Sequence, residues 1–168
     1  MAEESHPYPY ELAVEVAERA IAHGVTLATA ESCTGGLIAH LLTRVAGVSA
    51  VFNGGIVAYA NEAKRDLLGI EESVLLRHGA VSEPVALAMA RGARRAFGVA
   101  LAVSTTGVAG PGGGTPDKPV GLVYIAVSRE AGDQCRRFRF AGDRAENIIQ
   151  AAREALRLIH ETLSTTAR

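Results

Sequence analysis

The 168-residue chain is predicted to be an α/β protein, a three-layer α/β/α sandwich around a mixed, mostly parallel sheet. Three features predict this. Helix-period and strand-like segments alternate along most of the chain. Val99 to Thr105 is a run of the kind buried on both faces of a sheet. Near the C-terminus two strand-like segments are separated only by the turn-forming Glu130 to Asp133, which forces at least one antiparallel pair.

Taken in order, Leu12, Val16, Ala20 and Ile21 recur at helical spacing and stop at His23-Gly24, as in an amphipathic helix with a glycine C-cap. Val25 to Ala30 reads as a short strand, and Leu37, Ile38, Leu41, Leu42 and Val45 as the next helix. Ala50 to Tyr59 is a second strand, its Gly54-Gly55 marking a bulge or a close backbone approach. Asn61 is placed to cap the helix carrying Lys64, Leu67 and Leu68, and a further turn of helix runs from Glu72 to Arg77. Ser82-Glu83-Pro84 opens a longer helix to about Phe97, with serine as cap and proline in the first turn. After Val99 to Thr105 come the glycine-rich stretch Thr106 to Thr115 and the hairpin Val120 to Ser128 with Cys135 to Phe140. Phe138 and Phe140 alternate with Arg137 and Arg139, as expected of a strand with one buried face. The last helix covers about Asp143 to Thr162.

One domain spanning 1–168 is expected, since the length suits one core and no repeat or linker interrupts it. A net charge of −1 provides no electrostatic footprint for nucleic acid. The longest apolar runs fall far short of the roughly 20 residues that cross a bilayer, and Met1 to Tyr10 lacks the basic and apolar parts of a signal peptide. A cytoplasmic location with two reduced cysteines, Cys33 and Cys135, follows as an expectation.

Three segments carry candidate chemistry. In Glu31-Ser32-Cys33-Thr34-Gly35-Gly36, hydroxyl and thiol groups sit at a strand-to-helix turn, in the field of a helix N-terminus. The same pattern also describes a plain helix cap. In Gly47 to Lys64, Tyr59 and Lys64 stand at a strand exit and a helix start, facing the edge that carries Ser32. A lysine that loses its charge can serve a serine as general base, and lysine occurs only at Lys64 and Lys118. The third, Thr106-Gly107-Val108-Ala109-Gly110-Pro111, offers backbone N–H groups to an anion, and Arg144 offers a charge-assisted partner. It matches neither the P-loop nor the dinucleotide fingerprint, and the five histidines show no metal-ligand spacing, so no cofactor and no metal are expected.

Together with Gly79-Ala80-Val81-Ser82-Glu83-Pro84, Lys118-Pro119-Val120-Gly121 and Gly142-Asp143-Arg144, these segments closely resemble the CinA C-terminal family from about Leu12 to Leu163. The resemblance implies an α/β/α sandwich and a nicotinamide-nucleotide amidohydrolase, which converts nicotinamide mononucleotide and water to nicotinate mononucleotide and ammonia. It implies functional roles for Ser32, Ser49, Tyr59, Lys64, Thr106 and Arg144. Where the family commonly has Ser-Gly-Ile-Ala-Gly-Pro, this chain has a threonine at 106 and keeps the hydroxyl.

The expected mechanism has Ser32 attacking the carboxamide, Lys64 as base, Tyr59 relaying or orienting the proton, and helix-start N–H groups holding the oxyanion. Ser49 and Cys33 stay open as nucleophiles. Thr34, Gly35, Gly36, Asn61, Thr106, Gly107, Gly110 and Arg144 are the substrate-binding candidates. Longer relatives carry a molybdopterin-binding-like domain linked to pyrophosphatase activity, expected to be absent here. A small-molecule nucleotide is the expected partner, with no nucleic acid or membrane, and the chain is expected to form a dimer. The rival reading is a non-catalytic nucleotide-binding or regulatory module of the competence/damage-inducible type.

Overall fold

The computed structural model of the chain describes residues 7–166. The N-terminal reading of Met1 to Tyr10 lies mostly outside the described residues, as does His6. Six α-helices and five strands follow in order: α1 Tyr10–His23, β1 Leu27–Glu31, α2 Leu37–Thr43, β2 Phe52–Val57, α3 Asn61–Leu68, α4 Glu72–His78, α5 Glu83–Phe97, β3 Leu101–Gly107, β4 Leu122–Arg129, β5 Gly132–Arg139 and α6 Arg144–Thr166. No described helix is long and apolar enough to cross a membrane.

The sheet order is β2-β1-β3-β4-β5. β1 pairs in parallel with both β2 and β3, while β4 and β5 add antiparallel pairs. The expected α/β/α architecture and mixed sheet are therefore present, with the parallel part confined to the three strands at and beside β1. β1 is buried at all five positions, as a central parallel strand must be. One core, containing Leu27, Leu101, Val103 and Ile125, packs under α1, α2 and α6. The other, containing Ala28, Ala30 and Ala102, packs under α3 to α5. Alternate residues of each strand serve opposite cores.

Boundaries differ from the sequence reading for local reasons. β1 starts at Leu27, because the Val25 N–H is spent on Ala20 O in the turn that Gly24 makes at φ 63°. β2 is shorter than Ala50 to Tyr59, since residues 48–50 form a 3-10 turn and the Ala58 N–H crosses to Glu31 O. Two expected caps are corrected. Asn61 is the first residue of α3, whose cap position is Ala60, with no side-chain cap bond. Ser82 holds the cap position of α5, but its hydroxyl donates to Gly79 O at 2.8 Å. At α6, Asp143 and Glu146 bond each other's backbone N–H reciprocally and thereby fix where Arg144 starts the helix.

Close helix packing on the α3–α5 side depends on Gly92, in the middle of α5. A Cβ there would lie 2.3 Å from Leu68 O, at the end of α3. Helix propensity alone favours alanine over glycine by about 1 kcal/mol. We expect Gly92→Ala to destabilise the protein nonetheless, by about 1–3 kcal/mol in denaturant unfolding, because overpacking against a backbone oxygen outweighs the propensity gain. A more stable variant would refute this account.

Candidate active site

β1, β2 and β3 are parallel, so their C-terminal ends share one edge of the sheet, and the helices that follow β1 and β2 begin there. β1 is also where the chain order turns, its two neighbours being reached by connections over opposite faces. Ligand crevices of open α/β sheets form at such a point. Ser32 lies one residue beyond the paired Glu31 and Thr105, with its N–H bonded to Thr105 O.

Two buried ionisable side chains flank it. Glu31, with no exposure, ends β1 on the α2 side. Its Oε2 accepts from Thr34 Oγ1 at 2.6 Å and from the N–H groups of Gly36 and Ile38 at 3.1 Å, and its Oε1 accepts from Ala39 N–H at 2.9 Å. A buried carboxylate needs such saturation, and the first turn of a helix has the donors to supply it. The chain bends into α2 through Gly35 and Gly36, at φ 60° and 97°, where a Cβ would be strained.

Lys64 approaches from the α3 side and is 1% exposed. Its Nζ donates to Ala58 O at 2.9 Å, Ser32 Oγ at 3.0 Å and Tyr59 O at 3.1 Å. Burial lowers its pKa below the ordinary lysine value. The three contacts suit both protonation states. An ammonium donates three times. A neutral amine donates to the two carbonyls and keeps its lone pair for the serine hydroxyl.

Tyr59 is 60% exposed, and its hydroxyl accepts from Arg144 Nη2 at 3.0 Å. Arg144 Nη1 donates to Gly110 O at 2.7 Å, so the guanidinium ties the start of α6 to the glycine-rich loop and to the exit of β2. Arg144 and Asp143 line a surface depression together with Ala109, Pro111, Val120, Gly142 and Ala145. Thr106 is buried and donates to Ala80 O at 2.8 Å.

The structure thus brings Ser32, Lys64 and Thr106 to one strand edge and joins Tyr59 to Arg144 across it. Tyr59 meets Lys64 through its backbone oxygen, whereas its hydroxyl faces Arg144. Ser49 sits exposed in the 3-10 turn Val48–Ala50, which precedes β2 and lies at the N-terminal ends of the strands, opposite Ser32 within one chain. Cys33 is buried in the α1–α2–α6 core, and burial pushes its thiol up to about 12. At neutral pH it remains an unreactive thiol. Thr34 turns inward to Glu31 and Thr105, Gly107 closes on Val123 at the end of β3, and Asn61 is exposed at the start of α3.

The expected oxyanion donors need correcting, because Glu31 already occupies the N–H groups of Gly36, Ile38 and Ala39. Sequence reasoning included Glu31 in its segment without assigning it a role. An acid closing a buried strand that is apolar except for Thr29 was the available signal. Asn147 was missed outright. It is buried, donates to Ala109 O and accepts from Gly142 N–H, and so pins the glycine-rich loop to α6. Among the described residues no three His, Cys, Asp or Glu side chains group as metal ligands.

Residues 9–163 match the CinA C-terminal domain. A CinA-like protein of Anaeromyxobacter dehalogenans is 53% identical over 148 residues, which are 88% of this chain and 36% of that protein. A CinA-like protein of Salinibacter ruber is 50% identical over 85% of this chain and 35% of its own length. The chain spans about a third of the length of these curated relatives. Among solved structures, a competence/damage inducible protein from Agrobacterium tumefaciens superposes with TM-score 0.90 at 42% identity, covering 94% of this chain and 98% of its own. A CinA superfamily protein from Klebsiella pneumoniae gives TM-score 0.90 at 37% identity, over 93% and 98% of the two chains. With family, relatives and fold in agreement over nearly its whole length, the chain belongs to the CinA C-terminal domain family.

Proposed function

We propose that this domain hydrolyses the carboxamide of nicotinamide mononucleotide, releasing ammonia and nicotinate mononucleotide, with Ser32 as nucleophile and Lys64 as general base. The observation that carries the reading is the 3.0 Å contact between Lys64 Nζ and Ser32 Oγ, made by a buried amine whose other two contacts are backbone carbonyls. Among the described residues no carboxylate pairs with this amine to hold its proton, and burial favours the neutral form. The substrate comes from the family resemblance, and Arg144 beside its depression suits the nucleotide's phosphate.

In the proposed reaction, Ser32 Oγ bonds to the carboxamide carbon while its proton passes to Lys64 Nζ. The C–N bond then breaks, and the lysine proton leaves with the amine as ammonia. Water attacks the acyl-serine, giving its proton to Lys64, and the C–Oγ bond breaks as that proton returns to Ser32. Tyr59 acts in substrate orientation together with Arg144, since its hydroxyl bonds the guanidinium. Ser49 drops out as a nucleophile within one chain, because Lys64 cannot serve both ends of the sheet. The cytoplasm, where pyridine nucleotides are recycled, and a dimeric state are part of the same proposal.

Purified protein incubated with nicotinamide mononucleotide should release ammonia. Its absence over a range of pH and substrate would turn the reading toward a non-catalytic nucleotide-binding module. Ser32→Ala should abolish release, and Lys64→Met should lower kcat by about 10²–10⁴-fold. Near-normal turnover in Lys64→Met would remove the lysine base. Arg144→Ala should raise KM about ten-fold or more with little change in kcat, the loss expected of a charge-assisted phosphate contact worth about 1.5–3 kcal/mol.

The rate should rise with pH through the lowered Lys64 value, because only the neutral amine accepts the serine proton. Stability carries the same signature. Between the lowered folded value and the ordinary 10.5, the unfolded chain holds a proton that the folded one lacks, so unfolding free energy gains with rising pH. That gain, read as wild type against Lys64→Met in denaturant titrations, should be absent below the folded value. A pH-independent difference would mean that the amine is not perturbed.

A further inference from the structure

We infer that Glu31 is a positioning residue for Ser32: its carboxylate takes up the first N–H groups of α2 and leaves those of Cys33 and Thr34 as the pair that stabilises the oxyanion. The inference rests on the serine–lysine reading above and deepens it.

The hydrogen bonds of the turn account for it. From Ser32 to Ala39, the Ser32 N–H goes to Thr105 O, Gly35 N–H to Ser32 O and Leu37 N–H to Thr34 O. Those of Gly36, Ile38 and Ala39 go to Glu31. Among the described residues, Cys33 and Thr34 are the positions in this stretch whose N–H has no oxygen acceptor, that of Cys33 meeting only its own thiol sulfur, a weak acceptor that an oxyanion can displace. A helix start without its carboxylate would present free donors and a positive end to any anion, drawing a developing negative charge into α2. With that end already satisfied, the remaining donors are those of the residues directly after the nucleophile, where charge develops on attack. Thr34 is also held from both sides. Its hydroxyl bonds Glu31 Oε2 at 2.6 Å and meets Thr105 Oγ1 at 2.7 Å, locking its peptide to both β1 and β3.

The test uses an alkyl fluorophosphonate. Ser32 Oγ bonds to phosphorus, fluoride leaves, the serine proton passes to Lys64, and the phosphoryl oxygen gathers charge as the amide oxygen would. Glu31→Gln puts an NH2 against at least one N–H donor and removes the anion. It should keep a cooperative thermal transition and the pH rise set by Lys64, yet label Ser32 about ten-fold or more slower. With nicotinamide mononucleotide its kcat should fall by a similar factor at unchanged KM. Labelling of folded Glu31→Gln at the wild-type rate would overturn the inference.

Should Glu31→Gln fail to fold, Thr34→Val, which cuts the hydroxyl link and spares the carboxylate, is read the same way. Slower labelling at unchanged KM supports the inference, and an unchanged rate or an effect on KM alone overturns it. Wild-type protein that takes no label overturns both the nucleophile assignment and the role of Glu31. Wild-type protein that labels but releases no ammonia overturns the substrate alone, and the labelling ratio of Glu31→Gln still decides the positioning role.

Discussion

A buried amine is the constraint around which the site is arranged. Removing the Lys64 Nζ from water costs several kcal/mol unless it loses its proton or finds acceptors. Ala58 and Tyr59 supply two through their carbonyls, which obliges the chain to leave β2 at Val57 and turn directly into α3. The Ala58 N–H in turn bonds Glu31 O, so the turn that cradles the lysine is fastened to the strand that carries the serine. α3 can lie at the required depth because α5 presents a glycine to Leu68 O. Strand exit, helix placement and a glycine in a neighbouring helix thus all converge on one nitrogen.

Opposite faces of β1 handle charge in opposite ways. Glu31 belongs to the α2 face, and four donors satisfy its carboxylate, so it is a fixed part of the scaffold. Lys64 belongs to the α3 face, has carbonyl and hydroxyl acceptors and no carboxylate, and is left with a lowered pKa. Ser32 follows the first and touches the second. A rigid anion that shapes the turn and a titratable amine in contact with the hydroxyl are the division of labour on which the proposed acyl transfer rests. Arg144 and Tyr59 lie outside this buried centre and are exposed.

Much of the fold was legible because it is written in local periodicity. The stop of α1 at Gly24 and the proline-bearing start of α5 appear where composition and spacing place them. β3 runs two residues later than its apolar run, to Gly107, and the β4–β5 turn is shorter than Glu130 to Asp133, with Gly132 and Asp133 already paired to β4. The caps were less legible. A serine or asparagine at a helix start has several competing acceptors, and at Ser82 the Gly79 carbonyl wins over the helix N–H groups. The candidate site was legible as a set of segments, with Ser32, Lys64, Thr106 and Arg144 each standing at a strand exit or a helix start. Which of them touch was not.

Residue type and order by themselves determined the alternation of elements, the mixed sheet and the clustering of polar groups at strand ends, because each depends on neighbours a few positions apart. Only the tertiary structure decided that Lys64 reaches Ser32, 32 positions away, and that Ser49 lies at the other end of the strands. Only it joined Tyr59 to Arg144 across 85 positions and turned Thr34 inward to Thr105 across 71. It also converted Glu31 from one more polar residue in a turn into the acceptor that caps α2. The reason is the same throughout: a side chain's partner, and the dielectric it sits in, are set by which strands pair and which helices cover them, and neither is encoded in spacing along the chain.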